Sequence, residues 1–237
     1  MIYKDESSIR EKYQEYLKKG YLEAFLGMSS NKTWRSRELH SIAEKAECHN
    51  TGWPIGVTLT RSDLAPYPVE DGIEAAIPSH DMGMFDYWSL KKNGDFYFIR
   101  TFQEDEKPTT TKSGKKILWF DTQIWRISEI LLYCLNLGRE LQLDFSNKVD
   151  VYISYNGLKD RVLSCNDPMR IWFDDELYIC KAEKFEFQFS ESLDYIKVNF
   201  KELIFNIASE LSYYFGRFEL DRGVCDSIVD QFLSSRI

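Results

Sequence analysis

A chain of 237 residues, 43% hydrophobic and 29% charged, can bury a sizeable core without disulfides or a structural metal, and this composition excludes a disordered polymer. The formal net charge of -8 gives no long-range attraction for phosphate backbones or anionic lipid, so nucleic acid is disfavoured as a partner unless a local basic patch provides for it. No stretch approaches the roughly 18 consecutive apolar residues of a membrane span. Met1 to Arg10 is too polar for a secretory signal.

The first segment reads as a helix, with Ile9, Tyr13, Tyr16, Leu17 and Ala24 on one face. Gly20 inside it costs about 1 kcal/mol relative to Ala. A second helix is predicted from Arg37 to Cys48 on Leu39, Ile42, Ala43 and Ala46. Residues 1–49 are thus expected to form a helical arm or hairpin, and residues 50–237 an α+β core. Thr51-Gly52-Trp53-Pro54 is turn chemistry, after which Ile55 to Thr60 and Gly72 to Ile77 read as short strands. Asn93-Gly94 should join Phe85–Leu90 to Asp95–Phe102 as a hairpin.

Glu104 to Lys116 is polar and is expected to be an exposed loop. Beyond the apolar run Ile117–Phe120, Asp121 or Thr122 should cap a helix that reaches Leu137 and stops at Gly138. Val149–Tyr155 alternates as a strand, with Asn156-Gly157 turning it towards a return strand at Arg161–Cys165. Phe185, Phe187 and Phe189 mark a strand buried on one face, and Tyr195–Val198 is a candidate partner for it. Asn199 and Glu202 resemble a capping box for a helix that carries Phe200, Leu203, Ile204, Ile207, Leu211 and Phe215 to a stop at Gly216. A last helix runs from Val224 to Leu233. The order of elements predicts an α+β fold, a mostly antiparallel sheet packed by helices, and not the alternation of a doubly wound one.

Five cysteines, Cys48, Cys134, Cys165, Cys180 and Cys225, are odd in number, dispersed and without a C-x-x-C pair, which suits reduced thiols in a cytoplasm. No catalytic residue, metal site or cofactor is predicted. His40, Cys48 and His49 have no zinc-ligand spacing. His80-Asp81 are sequence neighbours, which seldom face each other productively. Lys112-Ser113-Gly114-Lys115-Lys116 lacks the first glycine and the Ser/Thr of a phosphate loop. Glu104-Asp105-Glu106-Lys107 has the residue types of a metal nuclease, but adjacency is not convergence. Lys32, Trp34, Arg35 and Arg37 combine basic and aromatic groups, as nucleic-acid and protein interfaces both do. Aromatics reach 15%, and Trp53, Trp88, Trp119, Trp125 and Trp172 would line a pocket with Arg100 and Arg126 if they converged.

Several segments carry a resemblance. They are Thr51-Gly52-Trp53-Pro54, Phe85-Asp86-Tyr87-Trp88, Phe102-Gln103-Glu104-Asp105, Ile124 to Glu129, Tyr155 to Arg161, and the helix from Asn199 to Phe215. In this order the chain resembles the C-terminal accessory region of bacterial ATP-binding and Schlafen/AlbA-like DNA-binding proteins. The resemblance implies an accessory or sensing part. Only two expected helices precede the resembling segments, so an effector is expected on another polypeptide. The expected function is a non-enzymatic recognition, sensor or interaction subunit of a bacterial regulatory or antiviral-defence assembly, with a separate effector protein and a possible small ligand as partners. The alternatives are a metal-dependent nuclease or other hydrolase acting on nucleic acid, and a nucleic-acid-binding protein. Trp53, Arg100, Glu104, Asp105, Arg126 and Glu129, drawn from the resembling segments, are the candidate binding residues.

Overall fold

A computed structural model describes residues 7–28, 30–61, 63–79, 84–105, 111, 114–167 and 177–235. Two short helices come first, α1 (Ser7–Lys12) and α2 (Gln14–Leu17). The helix expected to continue through Ala24 ends there. Gly20 redirects the chain with φ +143°, and Tyr21–Gly27 becomes strand β1. The helical spacing misleads because β1 is buried on both faces. Its apolar residues run almost continuously and match helix and strand periods alike.

β1 lies inside a seven-stranded antiparallel sheet. The spatial order is β2 (Tyr67–Val69), β3 (Gly72–Ser79), β4 (Met84–Lys91), β5 (Phe96–Thr101), β1, β7 (Lys148–Asn156) and β9 (Lys184–Ser192). A separate two-stranded parallel pair joins β6 (Ile117–Trp119) to β8 (Val162–Ser164). The described residues up to 49, expected as a helical arm apart from a core at 50–237, are therefore part of that core. β1 pairs with β5 on one side and β7 on the other, and α3 (Ser36–Ala46) buries Leu39, Ile42, Ala43 and Ala46 in the main core.

One face of the sheet carries that core. Leu22, Ala24 and Leu26 of β1 point into it, beneath a helical layer whose central member is α4 (Phe120–Glu140). α4 packs against α3, α6 (Phe200–Tyr213) and α7 (Arg222–Ser234). The other face presents Phe25, Phe85, Tyr87, Tyr97, Ile99 and Tyr152 to α1 and α2. Tyr16 stacks on Phe85 with centroids 4.6 Å apart, and Arg10 reaches the buried Glu23 at 2.7 Å. Glu23 also accepts from Tyr97 and Ser154, so one carboxylate joins α1, β1, β5 and β7. Among the described residues, no helix is long and apolar enough to cross a membrane.

The α+β class, α3, the β4–β5 hairpin, β7, β9, α6 and α7 match their sequence signals. Other local expectations yield to packing. Residues 55–60 form no strand: Ile55 and Gly56 turn, with Gly56 at φ +70° against the Tyr133 ring. Gly138 does not stop α4; a Cβ there would lie 2.6 Å from Leu193, so the glycine permits a close approach inside the helix. β8 pairs in parallel with β6 and does not return against β7. Tyr195–Val198 belongs to a helix, α5 (Leu193–Val198), capped by the Ser192 hydroxyl. The side chain of Asn199 bonds back to the Tyr195 carbonyl, and Glu202 reaches Arg222 instead of closing a capping box.

Gly20→Ala should test the turn that makes β1 a strand. The new Cβ would meet the Arg161 guanidinium at 2.6 Å and the Phe102 ring at 2.8 Å, on a backbone that disfavours L side chains. A loss of about 1–3 kcal/mol is expected, read as a lowered urea midpoint. An unchanged midpoint would contradict this reading of the turn.

Candidate functional site

Asp86 and Arg100 are directly opposed in the β4–β5 register. Arg100 Nε donates to both Asp86 oxygens at 3.0 Å, and Nη2 donates to Oδ2 at 2.6 Å. The side chains are 5% and 3% exposed, so both charges are desolvated and depend on close partners. The turn before residue 56 closes over them. Trp53 Nε1 donates to Asp86 at 2.7 Å, while Arg100 donates to the Trp53 and Pro54 carbonyls at 3.2 and 3.1 Å.

α4 completes the cluster. Its Glu129, fully buried, accepts from the Thr51 hydroxyl at 2.7 Å and from the Ile55 N–H at 3.3 Å. Arg126 donates to Glu129 at 2.9 Å and to the Trp53 carbonyl at 3.4 Å, and Arg100 Nη1 lies 3.7 Å from Glu129. Burial and the neighbouring Arg100 pull the Arg126 pKa below the ordinary guanidinium value, against the pull of Glu129. Two guanidinium groups thus face two carboxylates with no net charge. Of the six candidate residues, Trp53, Arg100, Arg126 and Glu129 converge here. Asp86 and Thr51 complete the set without having been among the candidates. The available signal for Asp86 was a lone carboxylate within a mostly apolar strand, which burial obliges to find a partner.

Glu104 and Asp105 do not join this cluster, and the exposed loop expected from Glu104 onwards instead begins in a 3-10 turn, Gln103–Asp105, with Glu104 buried. Glu104 accepts from the Trp119 N–H at 2.8 Å and from Gln123 at 2.9 Å. It lines a crevice of about 10 Å³ with Arg100 and Arg126, too small for an organic ligand. Burial raises its pKa, and the Trp119 N–H opposes the shift. Asp105 holds Arg161, whose remaining donors reach the Gly157, Ile117 and Lys19 carbonyls, tying four stretches of chain together.

The larger cavity, about 230 Å³, opens at the N-terminus of α4 between residues 166–167 and α7. Asp121, Thr122 and Trp125 form one wall, Asn166 and Asp167 a second, and Ile228 and Gln231 a third. The Asp121 carboxylate is held by the N–H groups of Thr122, Asn166 and Asp167, at 3.0–3.1 Å, and by the Cys165 thiol. An acid in the first turn also suits the helix dipole. Trp125 is half-buried, its ring 6.5 Å from that of Phe232.

The other sequence candidates resolve differently. Trp34 is buried in the core under the Lys32 ammonium, 3.6 Å from its ring, so it offers no stacking platform. Trp88 is buried and donates to the Val57 carbonyl. Trp53 and Trp125 face different sites, and Trp172, His80, Asp81 and Lys112 lie outside the described residues. Among the described residues no three His, Cys, Asp or Glu side chains converge as a metal site would need. All five cysteines are free thiols; burial pushes Cys134 and Cys225 up to about 12 and Cys48 higher still, which leaves these three as inert thiols at neutral pH.

Truncation should separate the members of the buried cluster. Arg100→Ala strands Asp86 and two carbonyls and is expected to cost about 3–5 kcal/mol by urea denaturation. Arg126→Ala, at a side chain 14% exposed, should cost about 1–3 kcal/mol. Equal losses would contradict the ranking. Glu104→Gln should change the pH profile. A raised folded pKa makes wild-type stability fall as pH rises from the unfolded value of about 4.3 through the folded one. The Gln variant should therefore gain on wild type across that interval, whereas parallel curves would contradict the raised pKa.

Comparison of the chain with family models, with curated proteins and with solved structures finds no match.

Proposed function

We propose that this chain is a non-enzymatic recognition subunit. It binds a small ligand or a partner's side chain in the cavity at the start of α4 and works with an effector on a separate polypeptide. The observation that carries the reading is the cavity of about 230 Å³ with the half-buried Trp125 ring in its wall. Its polar lining is the Asp167 carboxylate, the Asn166 and Gln231 amides and the Thr122 hydroxyl, with Asp121, whose oxygens already accept from backbone, adding negative charge. A ligand with N–H donors or a basic group suits such walls. An aromatic face favours a cation, and the overall charge of -8 draws one in.

Two further points support the reading. The charged candidates Arg100, Arg126 and Glu129 are bound to one another, to Asp86 and to backbone, an arrangement that stiffens a frame and presents no open reactive group. α4 also joins that frame to the cavity, since Asp121, Thr122 and Trp125 lie within three turns of Arg126 and Glu129 on one helix. An occupant that shifts α4 would therefore be felt at the sheet. The resemblance of its sequence segments to accessory regions of Schlafen/AlbA-like proteins supports a role in a bacterial regulatory or defence-type assembly.

The test compares wild type with Trp125→Ala and Gln231→Trp, the second filling the cavity from its rim. The tagged chain is purified from its source cells, co-purifying proteins are identified by mass spectrometry, and basic metabolites are screened by thermal shift. A ligand at 100 times its dissociation constant should stabilise wild type by about 2.7 kcal/mol. A stoichiometric protein or a stabilising ligand, lost in both variants while their circular dichroism is kept, is expected. A binder indifferent to both variants, or the absence of any binder, would overturn the assignment of the cavity.

A further inference from the structure

β9 stands at one edge of the sheet, nine residues long and, among the described residues, paired only with β7. The opposite edge, β2, has three residues and contains Pro68, which blunts it. The orientation of the β9 backbone follows from its end. The Leu193 N–H donates to the Asn147 carbonyl, and the register pairs Ser192 with Lys148. Odd-numbered residues of β9 thus turn their N–H and C=O groups to β7, and even-numbered residues, Lys184 to Ser192, turn theirs outwards. No hydrogen bond from these outward groups to other described residues is seen.

We propose that β9 pairs antiparallel with β9 of a second copy of this chain, about a two-fold axis through Gln188. A register centred on Gln188 places all nine residues of each strand opposite a partner. It sets Lys184 against Ser192 and Glu186 against Ser190, so no like charges meet directly. Registers centred one or two positions away shorten the ladder, and the one centred on Glu186 sets two glutamates face to face. In the Gln188 register the outward groups form the hydrogen-bonded pairs, and Phe187 of one copy meets Phe189 of the other at a close, non-hydrogen-bonded position. Both rings are only half-buried in the single chain.

A second observation comes from the flanks. α5 follows β9 directly and exposes Tyr195 and Val198, the latter 81% accessible. At the other end Tyr214, itself exposed, packs on Phe185 at 5.2 Å. A two-fold axis through Gln188 brings each end of one strand against the opposite end of the other, so Tyr214 of one copy approaches Tyr195 and Val198 of its neighbour. Exposed apolar groups at both ends of an open edge are what an isologous interface buries.

The experiment is the solution mass of the full chain by light scattering across a dilution series, for wild type and Gln188→Lys. Wild type should have twice the mass of the chain, and Gln188→Lys, which places two ammonium groups across the axis, should weaken the dimer by about tenfold or more. The substitution lies on the polar face of an edge strand, and circular dichroism checks that the variant folds. Register is read from Gln188→Cys, which should cross-link to itself on mild oxidation, while Glu186→Cys, opposite Ser190 of the partner, should not. A wild-type monomer, a dimer insensitive to Gln188→Lys, or equal cross-linking by both cysteines would overturn the proposal.

Discussion

The Asp86–Arg100 pair sets a condition that much of the molecule meets. Both charges lie within the sheet, on adjacent strands, away from solvent. A desolvated ion pair is tolerable only when its remaining donors and lone pairs are also satisfied. The Thr51–Ile55 turn supplies carbonyls and the Trp53 indole, and α4 supplies Glu129 and Arg126. Turn, sheet and central helix are thereby held in one arrangement. Because α4 packs in turn on α3, α6 and α7, the helical layer takes its position from the same cluster.

The same constraint recurs elsewhere. Glu23, buried on the middle of β1, gathers Arg10, Tyr97 and Ser154 and fastens the amino-terminal helices to the second face of the sheet. Arg161, 1% exposed, binds Asp105 and three carbonyls and stacks over Phe102 at 4.7 Å. Each charge links segments far apart in sequence. Such networks cost desolvation, and what they supply is a single geometry more than added stability. A frame of this kind holds the sheet and the helical layer in one arrangement, as the proposed recognition role would require. The α4 cavity and the β9 edge lie outside the three networks.

Local signals carried much of the fold. The β4–β5 hairpin was legible from Asn93-Gly94 between aromatic and β-branched runs. α3, α6 and α7 were legible from apolar spacing, and β9 from the strict alternation of Phe185, Phe187 and Phe189. The site was legible only in part. Trp53, Arg100, Arg126 and Glu129 do meet, as members of a charge-compensated cluster in which Arg100 and Glu129 are buried and Trp53 and Arg126 half-buried. Glu104 and Asp105 belong to other environments. The cavity residues Asp121, Trp125 and Gln231 come from separate elements, with no motif to unite them.

Sequence alone determined the α+β class, most element positions and the lack of any long apolar span, because helix and strand periods and turn chemistry act over a few residues. Only tertiary structure decided that Tyr21–Gly27 is an inner strand, that Gly138 lies within a helix, that Tyr195–Val198 is helical, and which charges are buried together. A segment buried on both faces loses the contrast between apolar and polar positions on which periodicity depends. A buried charge draws its partners from wherever the folded chain brings them, from Asp86 on β4 to Glu129 on α4, and spacing along the sequence carries no record of that meeting.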